Sequence, residues 1–70
     1  MDRLTPYILD LEEIEAIKMK LPSGDERAEV GRIADRVREL LCIADVLLDK
    51  GRDIEKTLQM AQYQINQVLK

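Results

Sequence analysis

Leu40-Leu41-Cys42-Ile43-Ala44-Asp45-Val46-Leu47-Leu48 decides the fold of this chain, with Asp45 its only polar member. These nine residues wind about two and a half turns of α-helix, so a helix here is apolar on every side. A surface helix of a small bundle is normally apolar along one stripe. With 70 residues in all, little chain remains to cover the other sides. The segment therefore predicts a helical core and, beside it, an apolar surplus that something outside the chain covers.

Upstream, Val30, Ile33, Val37, Leu40, Ala44 and Leu47 recur at heptad-like spacing, and Ala34, Leu41 and Leu48 form a second seam. Gly31 interrupts this helix at a cost of about 1 kcal/mol relative to Ala. Two readings stay open for it, a close approach by another helix or plain tolerance. Downstream, Lys50-Gly51 reads as a helix end, with Gly at a left-handed cap, and Asp53 starts the next helix. So short a link predicts an antiparallel hairpin of the second and third helices. Ile54, Leu58, Ala61, Ile65 and Val68 carry the apolar spacing down the third helix.

Toward the N-terminus, Thr5-Pro6 reads as a helix start, Thr5 capping and Pro6 first in the helix. Leu4, Tyr7, Leu11, Ile14 and Leu21 make its stripe, widened by Ile8 and Ile17. Asp10, Glu12, Glu13 and Glu15 precede Lys18 and Lys20, the order a helix dipole favours. Pro22 and Gly24 break the helix, and Ser23 or Asp25 is expected to cap the next one. The prediction is three helices near 6–20, 26–50 and 53–69 and no strand. It describes one all-α domain over residues 1–70, with the hairpin assembled into an oligomeric helical bundle.

Composition narrows the function. A core this small rarely leaves more than about 3–5 kcal/mol of net stability. Cys42 stands alone and histidine is absent, so no intrachain disulfide and none of the usual zinc sets can add to it. Association is the remaining device. Cys42, inside the apolar run, is expected to be a small buried hydrophobe in a reducing compartment. No signal-like segment and no apolar run of about 18 residues is found, which predicts a soluble, cytoplasmic chain with no membrane contact. Net charge is −3, with acids and bases interspersed, and only Tyr7 and Tyr63 are aromatic. Both features argue against a nucleic-acid surface.

Catalysis is poorly provided for. Without histidine there is no Ser-His, Cys-His or metal–histidine site, and the three glycines are too scattered to cradle phosphate. The acidic set on the first helix is the best constellation, with Asp10 and Glu13 three apart on one face and Glu12 and Glu15 on another, and a solvated face or one that meets arginines accounts for it better than a cation does. No catalytic residue, metal site or cofactor is expected. Arg27, Arg32, Arg36 and Arg38 form a basic region on the second helix, diluted by interleaved acids. Asp10, Glu13 and their neighbours are expected to find partners among these arginines, in the same chain or in another subunit. From Thr57 to Leu69 the third helix bears no charge, a pattern that fits an interface. The expected contact set is Leu41, Ile43, Val46, Leu48, Met60 and Tyr63.

The reading that follows is a non-enzymatic protein–protein interaction module, an adaptor, inhibitor or chaperone-like protein that binds itself and another protein. The alternative is a homo-oligomeric bundle holding a phosphate-bearing small ligand among its arginines. A DNA-binding dimer is the least favoured class. In length and in its helix–Gly51–helix layout the chain resembles the small helical co-chaperones of type III secretion systems. That resemblance implies a chaperone role shared with a second, larger protein. The segment after Gly51 is short for that family.

Overall fold

A computed structural model describes residues 2–69 as three α-helices, with no strand among them. They are α1 (Thr5–Lys20), α2 (Asp25–Asp49) and α3 (Glu55–Leu69), and each touches both others. At 25 residues, α2 is about 38 Å long. It sets the 42 Å long dimension of a body only 20 × 18 Å across.

The junctions follow local chemistry, with two departures from the sequence reading. At the start of α1, Leu4 holds the cap position and Thr5 makes no side-chain cap bond. The carboxylate of Asp2 accepts from the Leu4 amide at 3.1 Å and does the capping work expected of Thr5. The acids begin at Asp10, beyond the first turn, so only Lys18 and Lys20 in the last turn act on the dipole. Pro22 pushes Leu21 into extended backbone (ψ 145°), which ends α1 where expected. At the start of α2, neither Ser23 nor Asp25 caps; Gly24 holds the cap position with φ 151°, a conformation that favours glycine.

The turn into α3 is the most tightly specified. Gly51 has φ 71°, its amide donates to the Leu48 carbonyl at 2.9 Å, and the Arg52 amide donates to Leu47 at 2.8 Å. That pair of bonds is a Schellman ending. Asp53 then accepts from the Glu55 amide at 3.1 Å, as its place before the third helix suggests.

One apolar core joins the helices. Ile14, Val37, Ala44, Ile54 and Ala61 are completely enclosed, and Leu4, Leu11, Ile33, Ala34, Leu40, Leu58 and Ile65 complete most of the rest. Among the described residues no polar or charged side chain is buried. Along α2, Leu41 and Cys42 share a hollow with Leu4, Ile8 and Leu11, whereas Val30 and Ile33 lie by Ile17 and Leu21. On the α3 side, Leu40 borders Met60 and Tyr63, and Val30 and Ile33 border Gln67 and Val68.

Two glycines of this chain should respond oppositely to Ala. A Cβ on Gly31 would meet only the flexible end of Lys18, at 3.4 Å, so no helix backbone crosses there and Gly31→Ala should stabilise by about 0.5–1 kcal/mol. Gly51→Ala has open space but the wrong φ, and should destabilise by about 1–2 kcal/mol. Ile54→Ala, at a fully enclosed site, should destabilise by about 2–5 kcal/mol. Urea unfolding followed by circular dichroism measures all three.

Candidate interaction surface

Helical geometry determines which parts of the apolar run stay uncovered. At 100° per residue, Val37, Leu41 and Ala44 lie on one side of α2, while Ile43 and Val46 lie largely on the other. Ile43 is 43% exposed and Val46 53%, and with Cys42 and Leu47 they line a hollow that is almost wholly apolar. A second hollow opens between α2 and α3. Arg36 and Leu40 form one wall, and Lys56, Gln59, Met60, Tyr63 and Gln64 the other. Met60 is 44% and Tyr63 66% exposed. Leu40, Ile43 and Leu47 follow one another at three- and four-residue spacing, so the two hollows adjoin along α2.

Three of the residues singled out from sequence sit elsewhere. Leu41 is buried within the chain, because Leu4 and Leu11 of α1 cover it. Leu48 is half-buried against the same core. Cys42, expected to be buried, is exposed: it lies at the edge of the hollow beside α1, between that hollow and the open side of α2 at Ile43 and Val46. Leu9 and Met19, 58% and 70% exposed, were missed as surface apolar groups. Their positions off the α1 stripe are the signal that marks them.

The arginines do not converge on one point. Arg38 pairs with Glu15 of α1 and, at 2.8 Å, with Asp35. Arg36 reaches Glu39 at 2.6 Å and Arg32 pairs with Glu29, both one turn along α2 itself. The guanidinium of Arg27 lies 3.9 Å from the sulfur of Met19. Of the α1 acids, therefore, only Glu15 meets an arginine; Asp10 and Glu13 have no basic group within 4.0 Å among the described residues. Interleaved acids three residues away satisfy the α2 arginines first, since i,i+3 neighbours already share a helix face. All these pairs are exposed, and each contributes at most about 1 kcal/mol. Among the described residues, no three Cys, Asp or Glu side chains group so as to hold a metal ion.

Compared with family models, curated proteins and solved structures, the chain matches none of them. The likeness to type III secretion co-chaperones thus rests on the helix–Gly51–helix layout alone.

The exposed thiol gives this geometry a direct check. Folded protein should react with a thiol reagent such as DTNB at one equivalent per chain, at a rate within a few-fold of the urea-unfolded chain. Protection by orders of magnitude would place Cys42 inside.

Proposed function

We propose that this chain is a non-enzymatic protein-binding module. In this reading α2 and α3 form an antiparallel hairpin that presents Ile43, Val46, Met60 and Tyr63 to a protein partner. One observation carries it. These four large side chains stay exposed on adjoining stretches of α2 and α3, whereas the other exposed large apolar residues, Ile8, Leu9 and Met19, all lie on α1. Apolar groups clustered in this way on a small soluble domain are characteristic of interaction sites.

The order of neighbours supports the hairpin. Successive positions along α3, Met60 and Tyr63 and then Gln67 and Val68, border progressively earlier positions of α2. The charge-free run Thr57–Leu69 supports the interface, because polar amide groups there hydrogen-bond without the desolvation cost of charges. Pairing of Arg32, Arg36 and Arg38 with carboxylates of their own chain weighs against a phosphate ligand held by those arginines. The reading puts the module in the cytoplasm, where a reducing environment keeps the exposed Cys42 thiol free. No helix among the described residues is long and apolar enough to cross a membrane.

Site-specific photocross-linking in the native host tests the surface without presuming its partner. A photoreactive residue at Val46 or at Tyr63 should give a discrete protein adduct, and one at Glu12 on α1 should not. Absence of any adduct from both Val46 and Tyr63 would refute the reading.

A further inference from the structure

The apolar hollow on the open side of α2 has a symmetry of its own. Its lining residues, Cys42, Ile43, Val46 and Leu47, stand evenly about a midpoint between Ala44 and Asp45. Further out, Glu39 and Lys50 are again equally distant from that midpoint. Glu39, Ile43, Val46 and Lys50 step by four, three and four residues, so they keep to one side of the helix. All four are exposed. The stripe runs carboxylate, apolar, apolar, ammonium, and reversed end for end it becomes its own complement.

A two-fold axis perpendicular to α2 performs that reversal, setting α2 of one copy antiparallel against α2 of another. We infer that this surface binds a second copy of the chain, α2 against α2, with the axis at the level of Ala44 and Asp45. The inference deepens the function proposed above and rests on the open side of α2 described there. Ile43 is then level with Val46 of the second copy and Cys42 with its Leu47, so the two hollows close on each other. Glu39 is level with Lys50 of the second copy. The symmetry makes every pairing twice, and one self-complementary face closes the dimer. Alternating three- and four-residue steps are the seam along which paired helices interleave their side chains. Met60 and Tyr63 border Leu40, which is level with Asp49 of the second copy, so α3 flanks the end of that copy's α2.

Charge selects this arrangement over its neighbours. A parallel pairing of the same stripes would set Glu39 beside Glu39 and Lys50 beside Lys50. An antiparallel pairing slid until Ile43 meets Ile43 would set Arg36 level with Lys50, two cations. Slid the other way until Val46 meets Val46, it would set Ile43 level with the carboxylate of Asp49. Within its own chain Lys50 has no carboxylate within 4.0 Å among the described residues, and Glu39 is paired with Arg36 alone. Both are therefore available to a second copy. The apolar centre supplies affinity, while the end pairs, each weak, choose direction and register.

Sedimentation equilibrium of the full chain over a wide concentration range should give a dimer mass that dissociates on dilution. Glu39→Lys and Lys50→Glu should each weaken the dimer about tenfold, since each replaces two symmetry-related attractions by repulsions. Both changes in one chain should restore association to near the parent value. Val46→Asp should give a folded monomer by circular dichroism; if it unfolds, the charge variants, at exposed positions, decide the matter. A monomer at all accessible concentrations would overturn this inference, and the proposed function would then stand if Val46 cross-links to a different protein. A dimer insensitive to the single charge changes, or unrepaired by the exchange, would overturn the register and with it the inferred interface.

Discussion

Enclosure of α2 is the constraint on which everything else depends. It is 25 residues long and apolar most of the way round its C-terminal half, while α1 and α3 have 16 and 15 residues. Two shorter helices can cover two flanks of a longer one. They do so where Leu41 meets α1 and where Leu40 meets α3, and these contacts account for most of the closed core. The far side of α2 has no third helix. Ile43 and Val46 remain there, covered by neither of the two helices that pack on α2.

The polar parts are arranged so that they do not compete with this burial. Among the described residues no charged side chain enters the core, and every ion pair lies on the surface. Hydrogen-bond demands at the helix ends are met locally, by Asp2 before α1, by the Gly51 ending of α2 and by Asp53 before α3. Stability therefore resides almost wholly in apolar contact. For a chain of this size that leaves a thin margin, and burial of the remaining apolar surface in a complex would widen it by mass action.

The charged groups of this chain are arranged along its surface. Among the described residues the ion pairs lie on exposed faces, three of them one turn apart along α2, with Arg38–Glu15 and Arg3–Glu55 joining different parts of the chain. A protein partner asks for something different from a site: a broad patch, apolar at its centre, with charges at the rim that choose the orientation. Ile43, Val46, Met60 and Tyr63 with Glu39 and Lys56 beside them match that description.

Periodicity and turn chemistry made the helices, their breaks at Pro22 and Gly51, and nearly the whole core legible from sequence, because these depend on residues within a turn or two of each other. Met60 and Tyr63 were legible as surface groups for the same reason, lying off the stripe of Ile54, Leu58, Ala61 and Ile65. Three matters were settled only by the packing of helices distant in sequence. Leu41 is enclosed and Cys42 is not, although they are adjacent in the same apolar run, because α1 approaches α2 from one direction. Glu15, alone among the α1 acids, meets an arginine because Arg38 projects toward α1. The open side of α2 at Ile43 and Val46 likewise follows from where the two shorter helices sit. A helix that is apolar all round does not specify which of its sides its neighbours will cover.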